Sequence, residues 1–250
     1  MNVSQTKTPP DISVVVPCRD EAGNIGGLID EIAAALAGRA FEILIVDDGS
    51  RDATGETVRA KHRTLPAVRL LRHDVSAGQS AAIRTGLQAS RGAVLVTLDG
   101  DGQNDPAYIP ALLEALEAGG EETALAAGQR LGRKASFAKR YGSRIANWAR
   151  RSMLDDRVRD TGCGLKAIRR AVFLRLPYFD GWHRFLPALV RREGFDVALV
   201  DVVDRERRHG TSKYGIFDRL WVGIADLFGV WWLARRRRVR PQISEERMDG

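Results

Sequence analysis

Asp99-Gly100-Asp101-Gly102-Gln103 places two carboxylates and an amide oxygen within five residues, directly after the apolar run Ala93 to Leu98. That is a hard, all-oxygen ligand set. It suits Mg²⁺ or Mn²⁺, which bind through one or two carboxylates and the phosphates of a substrate. Standing alone, the same pattern also reads as a surface Asp-Gly turn. Two further polar clusters follow apolar runs: Pro17 to Glu21 after Ile12 to Val16, and Asp47-Asp48-Gly49-Ser50 after Phe41 to Val46. An acidic residue in the second cluster can bond ribose hydroxyls or a base edge. Ser50 or Asp52 can instead cap the next helix, with Asp52 the expected cap. Gly78-Gln79-Ser80-Ala81-Ala82 opens a helical pattern. Its free N–H groups favour an anion, and its small residues equally suit tight packing on a sheet.

The elements that must hold these clusters alternate along the chain. Strands are expected at Ile12–Val16, Phe41–Val46, Val68–Leu71, Ala93–Leu98 and Thr123–Ala127, with a later one at Val197–Val203. Helical spacing is read at Asn24–Leu36, from about Asp52, at Gly78–Ser90 and at Tyr108–Leu116. Such alternation means an α/β fold with right-handed crossovers and a mostly parallel central sheet. Ligands of these sheets bind at the carboxyl ends of the strands. The three polar clusters are therefore expected to converge on one edge.

Composition narrows the class. With 44% hydrophobic and 28% charged residues, the 250-residue chain is neither disordered nor collagen-like. Two cysteines, Cys18 and Cys163, exclude a disulfide scaffold and an all-cysteine zinc site. No signal peptide opens the chain, so a reducing cytosol is the expectation. Gly23, Gly26 and Gly27 do not form G-x-G-x-x-G, and there is no Walker A lysine loop, which argues against a dinucleotide dehydrogenase and a P-loop NTPase. The net charge of +7 is unevenly divided. Residues 1–125 hold 11 Lys and Arg against 18 Asp and Glu, whereas residues 126–250 hold 28 against 14. A basic half is the sole support for a nucleic-acid-binding protein, and without a recognised motif no nucleic-acid partner is expected.

Val16-Pro17-Cys18-Arg19-Asp20-Glu21, Asp47-Asp48-Gly49-Ser50 and Asp99-Gly100-Asp101-Gly102-Gln103 occur in the order found in family 2 glycosyltransferases of GT-A fold. Gly78 to Ala82, Asp160-Thr161-Gly162-Cys163-Gly164 and Gly210-Thr211-Ser212-Lys213-Tyr214-Gly215 resemble further motifs of the dolichol-phosphate mannosyltransferase and polyprenyl-phosphate branch. The resemblance covers about Ile12 to Leu233. It implies a GT-A, Rossmann-like nucleotide-diphospho-sugar transferase fold and an inverting transfer from a GDP- or UDP-linked sugar to a polyprenyl phosphate. It places the nucleotide at Pro17, Arg19, Glu21, Val46, Asp48, Gln79 and Asp99, and the divalent cation, Mg²⁺ or Mn²⁺, at Asp99, Asp101 and Gln103. Arg130, Arg140, Ser143 and Ser212 would meet the acceptor phosphate, and Asp101, Arg207 and Lys213 would serve catalysis. Two departures stand out. Arg19-Asp20 replaces the usual Tyr-Asn, and two glycines, Gly100 and Gly102, enter the metal loop, where they are expected to add backbone freedom.

The implied chemistry agrees with the charge division. A phosphomonoester with a second pKa of about 6 is largely ionised near pH 7 and needs no strong base. It needs a cationic seat, for which Arg130, Arg140, Arg144, Arg207 and Lys213 are suited. A hydroxyl acceptor would need a general base; that reading, and a non-catalytic nucleotide-sugar binder, are the alternatives. Ile216, Phe217, Leu220, Trp221, Ile224, Leu227, Phe228, Trp231 and Trp232 recur at helical spacing, with Gly223, Asp226 and Gly229 off the stripe. Leu220 to Ala234 would be about 22 Å long as a helix, short of the roughly 30 Å bilayer core. An amphipathic helix lying in the interface is expected, with Arg235 to Arg238 on anionic lipid; packing on protein is the other reading. The expected organisation is a leader (1–11), a catalytic domain (12–215, its nucleotide and metal half 12–128 and acceptor half 129–215), the interface helix (216–234) and a basic then polar tail (235–250). A peripheral or monotopic place on the cytoplasmic face of the membrane follows as the expectation.

Overall fold

The computed structural model describes residues 9–131, 153–154, 158, 160–205 and 218–236, with side chains in the last stretch described from 223. Strands β1 (Ile12–Cys18), β2 (Phe41–Asp47), β3 (Val68–Arg72), β4 (Val94–Thr97), β5 (Thr123–Arg130), β6 (Lys166–Arg169) and β7 (Asp196–Val202) form one sheet in the order β3-β2-β1-β4-β6-β5-β7. Pairs β1–β2, β1–β4, β2–β3 and β5–β7 are parallel, while β6 runs antiparallel to both β4 and β5. The expected strands are all present. β6 is the addition. Lys-Ala-Ile-Arg is short and has a charge at each end, so it lacks the apolar signature of a central strand.

β1 is buried along its whole length, which is why Ile-Ser-Val-Val-Val reads as a continuous apolar run and not an alternation. Its side chains nevertheless divide between two cores. Val14 and Val16, with Ile43 and Ile45 of β2, pack with α1 (Ala22–Ala35), α2 (Thr54–Thr64) and α4 (Ile109–Ala118). Val15, with Leu44 and Val46, packs on the other face with α3 (Gln79–Ala89) and α6 (Leu186–Arg192), which follows the short α5 (Arg170–Phe173). Each such buried aliphatic side chain contributes about 1.5–3 kcal/mol. α3 lies close on the sheet because Gly86 faces Val15 and Val46. A Cβ there would come within 2.3 Å of Val15 Cγ1.

Register then positions the site. Cys18 pairs with Asp47, and Thr97 pairs with Val15. The chain therefore leaves β1, β2 and β4 at neighbouring points of one sheet edge. The C-terminal helix α7 (Asp218–Arg235) packs beside α6, where Arg192 Nε donates to the carbonyl of Leu233 at 3.0 Å. Val230 is buried, and Leu227, Trp231 and Leu233 pack against the second core, whereas Ile224, Phe228 and Trp232 are exposed. The apolar positions thus divide between two faces instead of sharing one stripe. Asp226 is turned inward, its carboxylate close to Gly181, and burial raises its pKa. No helix among the described residues is long and apolar enough to cross a membrane.

Candidate active site

The loops leaving β1 and β2 are tied together by backbone donors. Asp20 N donates to Ser50 Oγ at 2.9 Å and Glu21 N to Thr54 Oγ1 at 2.9 Å. Asp52 accepts from Ala22 N, the first residue of α1, at 3.1 Å and from Thr54 N at 3.0 Å. Asp52 thus bonds the first N–H of both α1 and α2, but the N-cap position of α2 is Ala53, one residue after the expected cap. Asp47 accepts from Ser50 N at 2.8 Å and closes the turn.

Asp48 is buried beside the loop 73–78. Its carboxylate accepts from Ser76 Oγ (2.7 Å), Ala77 N (2.8 Å) and Gly78 N (2.9 Å), and it contacts His73 Nδ1 at 2.7 Å. Burial alone would raise its pKa, but these donors outweigh it and hold the group below the usual carboxylate range. Arg19 reaches the same loop and donates to Ser76 Oγ at 3.0 Å. Pro17, Arg19, Glu21 and Asp48 are thus gathered at one edge. Val46 lies beneath them, fully buried in the core towards α3.

The third loop carries the carboxylate pair. Asp99 Oδ1 accepts from Gln79 Nε2 at 2.7 Å, which joins it to the start of α3. Asp101 Oδ1 accepts from Gln103 N at 3.0 Å. Burial and the neighbouring Asp101 charge push the Asp99 carboxyl up to about 6, against the pull of Lys166 and Arg130. Two crowded carboxylates and an amide are what a hard divalent cation would relieve and bind, so Asp99, Asp101 and Gln103 fit an Mg²⁺ or Mn²⁺ seat. Among the described residues there is no group of three His, Cys, Asp or Glu arranged to hold a metal; the set depends on its amide and on further ligands. The two glycines shape this loop, Gly100 by close packing and Gly102 by its positive φ. A Cβ on Gly100 would meet Cys18 Cβ at 2.7 Å, and Gly102 has φ 74°.

A network behind the loop was not legible in the motifs. Asn104, 3% exposed, accepts from Asp99 N at 3.1 Å and donates to Asp204 Oδ1 at 3.2 Å. Asp204 also pairs with Arg130 NH1 at 3.2 Å, and Arg130 NH2 bonds Asp160 Oδ1 at 2.9 Å. These carboxylates raise the Arg130 pKa, the Asp160 bond most. Arg205 N donates to Gln103 O at 2.8 Å, and its guanidinium pairs with Glu31 and Asp105. Arg130, expected at the acceptor phosphate, is therefore bound by two carboxylates in this structure. Of the other expected residues, Arg140, Ser143, Arg144, Arg207, Ser212 and Lys213 lie outside the described residues, as does the helical pattern at Phe137–Trp148.

Beside Asp99 a cavity of about 210 Å³ opens, lined by Gln79, Gly164, Lys166, His183 and Arg184 among others. Lys166 is buried and donates to the carbonyl of Cys163; burial lowers its pKa. His183 Nδ1 is 2.8 Å from Ser80 Oγ, and burial, with Lys166 and Arg184 nearby, pushes its pKa down to about 3, so the ring is neutral. Nothing in the spacing marked Lys166, His183 or Arg184; a lone histidine near an apolar run looks like a core residue.

The chain resembles known proteins. The family model for glycosyl transferase family 2 matches residues 13–176. The chain is 34% identical over 237 residues to dodecaprenyl-phosphate galacturonate synthase of Rhizobium johnstonii, covering 92% of this chain and 69% of that protein. It is 35% identical over 206 residues to undecaprenyl-phosphate 4-deoxy-4-formamido-L-arabinose transferase of Pseudomonas aeruginosa, covering 81% and 60%. The chain thus spans about two thirds of the length of these curated relatives. Glucosyl-3-phosphoglycerate synthase from Mycobacterium tuberculosis, solved with Mn²⁺, UDP-glucose and glycerol 3-phosphate, superposes with a TM-score of 0.65 at 22% identity, covering 90% of this chain and 80% of that one. With a mostly parallel sheet of that shape and the polar loops at its carboxyl edge, this chain belongs to glycosyl transferase family 2 and has a GT-A fold.

Proposed function

We propose that the protein is an inverting, metal-dependent glycosyltransferase that moves a sugar from a GDP- or UDP-linked donor to a polyprenyl phosphate at the cytoplasmic membrane face. The observation that carries this reading is the crowded Asp99–Asp101 pair at the end of β4, joined by Gln79 to the start of α3 and opening on a cavity. Both relatives are named for polyprenyl-phosphate acceptors, which supports the acceptor class. Neither is named for mannose, so the dolichyl-phosphate mannosyltransferase likeness of the motifs supports the branch and not the sugar.

The residues divide the work. Pro17, Arg19, Glu21 and Asp48, with Gln79, border the nucleotide; the donors on Asp48 keep loop 73–78 folded against it. Asp99, Asp101 and Gln103 would hold Mg²⁺ or Mn²⁺, which when bound supplies positive charge to the leaving diphosphate. Asn104 and Asp204 set the loop's position from behind. The acceptor phosphate carries its own negative oxygen as nucleophile, so the protein's task is to hold it near another anion. Arg140, Ser143, Arg207, Ser212 and Lys213 are assigned to that task, and Arg130 would join them by exchanging Asp160 or Asp204 for the phosphate. The exposed Ile224, Phe228 and Trp232, flanked by Arg235 and Arg236 stacked on Trp231 and Trp232 at 4.2 and 4.4 Å, support a helix lying on a membrane surface.

The testing experiment is transfer from a panel of nucleotide sugars to undecaprenyl phosphate, with and without EDTA. Transfer that EDTA abolishes and Mn²⁺ or Mg²⁺ restores is expected. Transfer that EDTA leaves untouched would refute the metal role, and transfer to a hydroxyl acceptor alone would refute the acceptor.

A further inference from the structure

We propose that His183 is a sugar-binding residue: its ring, oriented by Ser80, presents Nε2–H to a hydroxyl oxygen of the sugar being transferred. This deepens the donor reading given above and rests on it.

The place of the ring proton follows from Ser80, the second residue of α3, which is 1% exposed. Its Oγ accepts from Gly181 N at 2.9 Å and lies 2.8 Å from His183 Nδ1. A hydroxyl has one proton to give. Among the described residues, His183 Nδ1 is the one acceptor within its reach. A proton on Nδ1 would leave the buried hydroxyl without an acceptor, at a cost in free energy. Ser80 therefore donates to Nδ1, and the ring carries its own proton on Nε2. Trp182 Nε1 bonds the carbonyl of the same serine at 3.4 Å. Three consecutive residues, Gly181, Trp182 and His183, are thus fastened to Ser80, which fixes the ring's direction. Burial, with Lys166 and Arg184 nearby, keeps the ring from taking a second proton.

Nε2 has no hydrogen-bond partner among the described residues, and it is not sealed from its surroundings. His183 lines the cavity beside Asp99. With Nδ1 turned to Ser80, Nε2–H is what the ring offers to that cavity. Asp101 and Gln103 lie outside the lining, so Asp99 stands between the metal seat and the cavity. A diphosphate would be held by the metal and by cations. A neutral N–H adds no charge and suits an uncharged oxygen. Beyond the diphosphate of a nucleotide sugar, the uncharged oxygens with room to accept are the hydroxyls of the sugar. Gly162 and Gly164 leave part of the lining without side chains, which gives room for a ring.

The first test uses the wild-type protein labelled with ¹⁵N at its four histidines. The His183 signals, identified by their loss in His183→Asn, are expected to show the neutral Nε2–H tautomer from pH 6 to 8. An Nδ1–H ring or a doubly protonated ring overturns the inference. The second test is calorimetry in the presence of Mn²⁺ with UDP-glucose, UDP-galactose, UDP-glucuronate, UDP-galacturonate and GDP-mannose, and with UDP and GDP as references. Asparagine keeps an acceptor for Ser80 and has no N–H at the Nε2 position; glutamine carries an N–H there. His183→Asn is expected to weaken nucleotide-sugar binding about tenfold and leave UDP and GDP affinity unchanged, and His183→Gln to recover part of the loss. One monodeoxy analogue of the best-bound donor is expected to bind the wild type about tenfold more weakly, with no such loss on His183→Asn. Unchanged nucleotide-sugar affinity in His183→Asn overturns the inference alone. So does an equal loss for UDP or GDP, which would assign the N–H to the diphosphate. No binding of any donor by the wild type overturns the donor reading and this inference with it.

Discussion

At the scale of single residues, the carboxylate pair decides most. Asp101→Ala is expected to abolish transfer and leave the fold intact, as read by activity beside circular dichroism and thermal melting. Full activity in that variant would remove Asp101 from the metal seat. The Asp99 carboxyl, pushed up to about 6, adds a pH dependence. A metal must displace its proton, so Mn²⁺ affinity is expected to be flat above pH 7 and to fall about tenfold per unit below pH 6. Titration calorimetry from pH 5 to 8 would show it, and unchanged affinity at pH 5 would contradict it. Asn104 was invisible as a functional residue because its role lies in two bonds to distant groups, Asp99 N and Asp204. Removing both in Asn104→Ala is expected to destabilise the protein by about 1–3 kcal/mol and to weaken Mn²⁺ binding. Urea unfolding and metal titration separate the two effects.

At the scale of elements, α3 has two tasks, of which the sequence reading offered only the close packing. Its N-terminal Gln79 holds Asp99, and its Gly86 lets the helix sit against β1 and β2. Gly86→Val places new atoms into Val15 and is expected to cost about 1–3 kcal/mol of stability. Urea unfolding reads it, and an unchanged midpoint would mean the helix can retreat from the sheet. β1, β2 and β4 were legible because a strand buried on both faces needs an unbroken β-branched run. β6 was not, because its charges are satisfied in the fold: Arg169 Nε donates to the carbonyl of Thr123 on the neighbouring β5 at 2.9 Å, and Lys166 turns back to the carbonyl of Cys163 three residues before it. Charges satisfied by tertiary contacts look like loop charges in a sequence.

At the scale of the whole molecule, the proposed place of the reaction rests on the basic half and the C-terminal helix. One face of α7 joins the core through Leu227, Val230 and Trp231, and the other leaves Ile224, Phe228 and Trp232 to the outside. Truncation after Tyr214 would remove both faces and damage the core. The cleaner variant is Phe228→Glu with Trp232→Glu, which changes the exposed face alone. The wild-type protein is expected to sediment with anionic lipid vesicles and the double variant to remain in the supernatant, both with the same far-ultraviolet spectrum. Co-sedimentation of the double variant would assign that face to another partner.

Periodicity and motif order alone determined the class of sheet, the edge where the polar loops meet and the family. These depend on local patterns: apolar runs, turn residues, and carboxylates two positions apart. Only the tertiary structure decided what those residues face. It committed Asp48 to loop 73–78 and Arg130 to Asp160 and Asp204. It turned Gly100 from a source of freedom into a point of close packing, and it divided the apolar positions of α7 between core and surface. It also gathered Lys166, His183 and Arg184 around one cavity with Asp99. The physical reason is common to all of these: a side chain's partner is set by which elements pack together, and strands far apart in sequence supply it.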